Sequence, residues 1–327
     1  MYTTVPVCEC KLVRYRRVFF WILSLWKFEA SMSNPRIEFQ LSSERPMLAP
    51  PGGKPLVVHI VVNIEHWPFD RPMPRQIFTP PHGLPPKPDV PNFSWAEYGM
   101  RCGLPRIADL LRRLRVPAST AINASVLDIY PSLAKVVDDA GWELMGHGYF
   151  QRTLQQERDE RQVIRDSVER LRRQKGKRVR GWLGPGLHET DNTPEFLKEA
   201  GIDYVCDWAL DDLPCWMTTK RGPLIAMPYA IELNDTVMYS IDKQGSDEML
   251  RRVKATVVTL EPELGHNPRV LTLALHPYAI GVPHRLPYLG RAIEFLKARD
   301  DTVFMTGSEI ADWFVSADAA SRGQGTA

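Results

Sequence analysis

From residue 55 onward, short apolar segments alternate with amphipathic ones, and this alternation restricts the fold more than any other feature. The segment LVVHIVVNI at 56–64 is a nearly continuous apolar run, which is typical of a strand buried on both faces. At 104–116, Ile107, Leu110, Leu111 and Leu114 recur at helical spacing. Further predicted strands are 118–123, 142–146, 179–183, 204–208, 224–229, 270–276 and 302–306. Further predicted helices are 131–140, 155–175, 193–200, 247–264, 285–299 and 308–314.

Strands that alternate with helices pair in parallel through right-handed crossovers. Seven or eight such units close naturally into a barrel, and one barrel routinely takes 250 residues or more. The 327 residues, 44% hydrophobic and 24% charged, suit an enzyme-sized globular chain. The chain has no glycine-rich phosphate loop of either standard type, which argues against a nucleotide-binding doubly wound sheet. The sequence therefore predicts the α/β class and a (β/α) barrel.

The ends of the chain lie outside this alternating pattern. Residues 1–54 are predicted to be a poorly ordered N-terminal extension, 55–315 the catalytic barrel and 316–327 a disordered tail. An apolar run at 18–26 follows a basic region and loosely resembles a signal peptide, but it is too short to span a bilayer. The preferred alternative is an upstream extension, with the working protein starting near Met32. A proline-rich stretch at 68–91 predicts an irregular loop that covers something functional.

Charge and cysteine content exclude several classes of protein. The formal net charge is +2 with mixed signs along the chain, so no basic face for nucleic acid is predicted. The five cysteines are odd in number and contain no CxxC pair, which disfavours a disulfide framework and a thiolate zinc site. We therefore expect a cytoplasmic protein with a small-molecule substrate and no membrane partner.

Ionisable residues follow several of the predicted strands. Glu65 follows the first strand, His147 the third and His276 the 270–276 strand, while Asp207 lies near the end of the fifth. In parallel barrels the carboxyl ends of the strands meet at one rim, where active sites form. Each residue alone has a structural explanation. The four together favour a site, because burying several ionisable groups costs several kcal/mol unless they are paired or functional.

Short motifs in a fixed order connect the chain to a known family. They are NIEH at 63–66, EYGMR at 97–101, GHGY at 146–149, GW at 181–182, DDLPCW at 211–216, PY at 228–229 with ND at 234–235, and LH at 275–276. With these motifs the chain resembles the polysaccharide deacetylase superfamily (carbohydrate esterase family 4, NodB homology). Within it, the chain is most similar to the branch of metal-independent allantoinases and cyclic imidases. The resemblance implies a distorted (β/α) barrel of about seven strands, hydrolysis of a non-peptide carbon–nitrogen bond, and possible homo-oligomers.

The resemblance also shows where this chain departs from the deacetylases. Their first motif has two adjacent aspartates, a base and a metal ligand, where this chain has Glu65 and His66. Their second motif has two histidine ligands four residues apart, where this chain has His147 and Gln151. Glutamine is a poor ligand and a catalytic zinc needs three good donors, so no cofactor is expected to be required. The alternative is one divalent metal such as zinc, held by His66 and His147.

The favoured hypothesis is hydrolysis of a small amide, cyclic imide or ureide. Glu65 acts as general base if burial raises its pKa toward neutrality. His147 and His276 orient the substrate, stabilise the oxyanion or protonate the leaving nitrogen. Predicted substrate-binding residues are Arg101, Trp182, Asp211, Trp216 and Asn234. Two alternatives stay open: a metal-dependent N-deacetylase of an amino sugar or polysaccharide, in carbohydrate metabolism, and a barrel that binds a ligand without turnover.

Overall fold

The centre of the molecule is a long, fully buried strand, β1. A computed structural model describes residues 33–79 and 87–324. Every residue of β1 is buried, as its unbroken apolar sequence predicts. The strands are β1 Leu56–Ile64, β2 Ser119–Ile122, β3 Glu143–Gly146, β4 Gly181–Trp182, β5 Tyr204–Val205, β6 Cys215–Met217, β7 Leu224–Ala226, β8 Arg269–Leu275 and β9 Thr302–Phe304.

These strands form one nine-stranded sheet in the order β6-β7-β5-β4-β3-β2-β1-β8, with β9 also paired to β1. All pairs are parallel except β6–β7. A single parallel bridge between Asn234 and Ala274 links the segment after β7 to β8. The sheet therefore curls into a partly closed barrel, and the prediction of a distorted (β/α) barrel is confirmed.

Amphipathic helices cover the outside of the sheet. They are α1 Val90–Tyr98, α2 Leu104–Leu114, α3 Val126–Ile129, α4 Pro131–Ala140, α5 Glu160–Lys175, α6 Thr193–Glu199, α7 Glu248–Leu260, α8 Leu286–Lys297 and α9 Gly307–Gln324. Helix α5 is rich in charged residues. It begins where the Asp159 carboxylate accepts the Gln162 amide hydrogen at 3.0 Å. It ends at Gly176, whose left-handed backbone suits glycine. Ile164 and Leu171 form its buried stripe.

Two of the predicted boundaries are wrong. Residues 40–54 pack as part of one compact unit that begins at Gln40, where Arg45 pairs with Asp211 at 2.8 Å and Leu48 is buried. Residues 316–324, predicted as tail, continue α9, where Ala317 is buried. These segments are ordered because they bury apolar side chains and pair charges against the barrel. The predicted start near Met32 and the apolar run at 18–26 lie outside the described residues.

Three of the labelled elements, β6, α1 and the four-residue helix α3, were not predicted. Strand β6 runs antiparallel to β7, within a stretch that was noted only as a motif. Helix α1 begins at Val90, so the irregular loop predicted for 68–91 ends slightly earlier, with Pro91 in the first turn of the helix, where proline is tolerated. No helix in the described ranges combines the length and apolarity needed to cross a bilayer.

Candidate active site

The carboxyl ends of β1, β3 and β8 open into a cavity of about 850 Å³. Glu65, His147 and His276, each directly after one of these strands, all line it. One wall is formed by residues of the proline-rich segment 67–75, and another by residues 150–156. The structure thus brings the three strand-end residues to one cavity, because parallel strands deliver their carboxyl ends to the same rim.

The three side chains converge on one carboxylate oxygen. Glu65 Oε1 lies 3.7 Å from His147 Nε2 and 3.6 Å from His276 Nε2. All three residues are more than nine-tenths buried, with exposed fractions of 8%, 2% and 7% for Glu65, His147 and His276. Both distances exceed that of a direct hydrogen bond, and all three residues line the same cavity, from which a small group can contact them.

Hydrogen-bond donors surround the Glu65 carboxylate. Trp67 Nε1 donates to Oε2 at 2.9 Å, the Tyr278 hydroxyl donates to Oε2 at 3.2 Å, and Gln151 Nε2 donates to Oε1 at 2.9 Å. Burial on its own would raise the pKa of Glu65, but the imidazoles of His147 and His276 and the Trp67 indole together lower it to about 2. The condition on which Glu65 would act as general base, a pKa raised toward neutrality by burial, is therefore not met. Glu65 is an anion that these hydrogen bonds and neighbouring imidazoles stabilise.

His276 is paired with a carboxylate behind it. Asp235, fully buried, accepts hydrogen bonds from His276 Nδ1 at 2.7 Å and from the backbone amides of His276 at 2.6 Å and Ile280 at 3.2 Å. Burial opposes the charged imidazolium, but the carboxylates of Asp235 and Glu65 raise the pKa of His276 above its ordinary value. The ring is thus oriented by Asp235 and favours the protonated form, with Nε2 directed toward Glu65.

His147 differs from His276 because its Nδ1 pairs with a backbone carbonyl and not with a carboxylate. Its Nδ1 lies 2.6 Å from the Leu183 carbonyl oxygen, which can only accept, so Nδ1 carries the hydrogen in this assignment. Its Nε2 is buried and has no hydrogen-bond partner within the described part of the chain. A neutral ring of this tautomer presents an unshared lone pair to the cavity. That is the chemical requirement for a general base.

The loop that carries His276 and Tyr278 is fixed by close backbone packing. A Cβ on Gly99 would collide with the Tyr278 backbone, and a Cβ on Gly103 would collide with the Pro277 carbonyl. Both glycines lie in a π-helical turn, Gly99–Gly103, between α1 and α2. Glycine is required here because the turn and the loop touch backbone to backbone. Local widening of a helix of this kind is frequent at functional sites.

The donor set does not fit the metal that many deacetylases use. His66 Nδ1 pairs with the Ser125 hydroxyl at 2.9 Å, and His66 does not line the cavity. Gln151, in place of the second histidine ligand, donates to Glu65 and accepts from Asn123 Nδ2 at 3.2 Å. Across residues 33–79 and 87–324, no group of three His, Cys, Asp or Glu side chains is arranged to hold a metal ion. We derive no catalytic step through a metal.

Among the five predicted substrate-binding residues, only Asn234 lines the cavity, where its side chain also caps the Thr236 amide at 3.0 Å. Arg101 is 74% exposed and pairs with Glu97. Trp182 is fully buried, because Gly146 leaves room for its ring. Asp211 pairs with Arg45, and Trp216 packs on Phe314 with ring centroids 5.2 Å apart. The substrate-binding assignments of these last four residues do not hold.

Other residues of the site were missed or given a different role. Trp67 and Tyr278 each lie two positions after a strand-end residue, and both donate to Glu65. Asp235, which the sequence shows only as part of the ND motif at 234–235, orients His276. Asp207, one of the four strand-end residues, does not line the cavity; it is half-buried with its Oδ2 enclosed, and its Oδ1 accepts from the Gly184 amide at 2.6 Å. Its burial and the neighbouring Glu189 raise its pKa well above the ordinary value.

A curled, mostly parallel sheet with a buried carboxylate and two imidazoles at its rim has the architecture of the deacetylase-like barrel class of hydrolases. Comparison with known proteins agrees with this class. The polysaccharide deacetylase family model matches residues 95–205. A putative polysaccharide deacetylase of Schizosaccharomyces pombe is 25% identical over 256 residues, covering 70% of this chain and 79% of the relative. A peptidoglycan deacetylase of Helicobacter pylori is 29% identical over 149 residues, covering 44% of this chain and 50% of that protein.

Among solved structures, the PuuE allantoinase superposes with a TM-score of 0.75 at 25% identity, covering 87% of this chain and 98% of that chain. The chain is therefore similar to the polysaccharide deacetylase superfamily and resembles its allantoinase-like branch. The predicted family is confirmed, and with it the prediction of a hydrolase of carbon–nitrogen bonds other than peptide bonds.

Proposed function

We propose that this chain hydrolyses a small amide, cyclic imide or ureide by acid–base chemistry of its own side chains, as in the allantoinase-like branch. The observation that carries the proposal is the placement of His147 Nε2 and His276 Nε2 at 3.7 Å and 3.6 Å from one Glu65 oxygen, facing the cavity. A group that contacts both imidazoles can lose a proton to one while the other donates.

The first step of the proposed mechanism is activation of water. A water molecule between Glu65 Oε1 and His147 Nε2 would donate one hydrogen to each. A carboxylate with a pKa of about 2 is a weak base near pH 7, so the proton passes to the imidazole. Glu65 then stabilises the imidazolium that forms. This mechanism moves the role of general base from Glu65 to His147 and makes Glu65 the positioning anion.

In the second step, the tetrahedral intermediate formed by the addition of water breaks down and releases the leaving nitrogen. The His276 imidazolium, oriented by Asp235, first polarises the substrate carbonyl and then donates its Nε2 proton to the departing nitrogen. The balance closes: water adds to the carbonyl carbon, the carbon–nitrogen bond breaks, and the nitrogen leaves protonated. Each histidine returns to its starting state after one proton passes from His147 to His276 through solvent.

The rival function in the same family is metal-dependent N-deacetylation of an amino sugar or polysaccharide. Deacetylase is part of the name of both curated relatives described above. Two observations favour the small substrate. Gln151 occupies a ligand position and is bonded to Glu65, and the segment 67–75 forms a wall over the cavity where a polymer would need an open groove.

The test is a substrate panel assayed with and without a chelator. The purified protein would be analysed for metal content and incubated with cyclic imides, cyclic ureides, linear amides and chitooligosaccharides. We expect turnover of a small amide, imide or ureide that persists in EDTA. Glu65→Gln should lower kcat by about 10²–10⁴, whereas Glu169→Gln, a control on the exposed face of α5, should leave it unchanged. Turnover only of N-acetyl sugars, and only with added zinc, would overturn the proposal.

A further inference from the structure

The outer wall of the cavity is strongly basic. The charged residues that line the cavity, apart from histidines, are Glu65, Arg71, Arg75 and Arg152. Glu65 lies at the inner end, held by its donors and by His276. The arginines lie on the segments 67–75 and 150–156, away from the strand ends. The cavity therefore has a negative inner end and a positive wall.

Among the described residues, no carboxylate pairs with two of these arginines, Arg71 and Arg75, and both are exposed to solvent. Arg152 is partly neutralised, since it lies 3.8 Å from Glu157 and donates to the Gln156 carbonyl at 2.7 Å. Arg71 and Arg75 form no ion pair with any described residue, and the only contact of the Arg71 guanidinium given by the structure is with the Phe150 ring, 5.6 Å from its centroid. An arginine that lines a cavity without a carboxylate partner is available to an anionic ligand.

The segment that presents them is anchored. Met73, between the two arginines, is buried, with an exposed fraction of 9%, and it lines the cavity. Pro72 and Pro74 flank it and restrict the backbone there. Arg75 lines the same cavity as His276 and Tyr278, and its charge slightly opposes the rise in pKa of each.

On the basis of the proposed function, we propose that the substrate is a small amide, imide or ureide that bears a carboxylate. The carboxylate binds Arg75, with Arg71 as a second contact, and the scissile carbonyl then lies between His147 and His276. The polarity of the cavity fixes this orientation, because the reverse pose would place the carboxylate against Glu65. Arg71 and Arg75 are specificity-determining residues that bind the ground state and take no part in proton transfer.

The experiment compares two substrates that differ in one carboxylate, 5,6-dihydrouracil and its 6-carboxylate. We expect the wild-type protein to favour the carboxylate in kcat/KM by tenfold or more, an effect weakened by salt. Arg75→Gln should raise KM for the carboxylate about tenfold and leave KM for the neutral substrate unchanged. Arg75→Lys should restore part of the preference. Arg112→Gln, which neutralises a 74% exposed arginine on α2, is the matched control and should change neither.

A wild-type protein that hydrolyses both compounds equally well, or a preference that survives Arg75→Gln, would overturn the inference and leave the proposed function standing. If neither compound is hydrolysed, calorimetric titration with succinate and succinamide tests the anion site separately from the proposed hydrolysis. Binding of succinate alone, lost in Arg75→Gln, supports the anion site independently of turnover. Equal affinity for succinate and succinamide, or binding of neither, overturns it.

Discussion

Replacing Asp235 with asparagine tests the proton chemistry of the site most directly. The fully buried carboxylate holds His276 Nδ1 at 2.7 Å and two backbone amides through its second oxygen. Asparagine has nearly the same shape, and its oxygen can still accept from the backbone. Its amide nitrogen then faces His276 Nδ1 as a donor, which favours a neutral ring with hydrogen on Nε2.

The size of the effect follows from the charge that is lost. Asp235 is the strongest influence raising the pKa of His276, against the opposing effect of burial. A hydrogen bond to a charged group contributes about 1.5–3 kcal/mol, and 1.36 kcal/mol corresponds to one pKa unit. We therefore expect the pKa of His276 to fall by about one to two units. Since the raised pKa keeps His276 protonated to higher pH, the variant should lose activity first on the alkaline side.

The assay does not depend on knowing the substrate. The ring nitrogens and carbons of the histidines would be followed by NMR through a pH titration of the wild-type protein and Asp235→Asn. His266, a histidine outside the cavity, serves as an internal control. With a substrate in hand, kcat should fall by about 10–10² at pH 8, as a loss of one to two pKa units implies. A His276 that titrates at the same pH in a folded Asp235→Asn variant would refute the reasoning.

Three further predictions concern packing and stability. Gly103→Ala should destabilise the protein by about 1–3 kcal/mol in urea denaturation and lower kcat, because its Cβ collides with the Pro277 carbonyl; Gly265→Ala, which meets no atom within 4 Å, should be nearly neutral. Trp182→Ala should lower the free energy of unfolding by about 3–5 kcal/mol. A variant with an unchanged Tm and a raised KM would contradict the placement of Trp182 in the core. Because the pKa of Glu65 falls from 4.5 to about 2 on folding, its contribution of about 3 kcal/mol is present above pH 4.5 and is lost as pH falls toward 2. The difference in free energy of unfolding between the wild-type protein and Glu65→Gln should therefore become smaller from pH 6 to pH 3 in denaturation curves. A difference that stays constant would argue against a stabilised Glu65 anion.

The sequence by itself determined the alternation of elements and the residues at the strand ends. The apolar run at 56–64 is β1 residue for residue, and 131–140 is α4, because burial on both faces and helical periodicity leave local patterns that do not depend on the partner. Glu65, His147 and His276 were found for a related reason. In a parallel barrel, position at a strand end is also position at the rim.

Only the tertiary structure decided what each of these residues experiences. Trp182 is core although it belongs to a family motif, since the missing side chain of Gly146 lets its ring pack inward. The pKa of Glu65 depends on His147 and His276, both of which are distant from it along the chain. The protonation of His276 depends on Asp235, 41 residues away. Hydrogen bonds and charges act through space, so their effect on a side chain is set by the folded arrangement and leaves no periodic trace in the sequence.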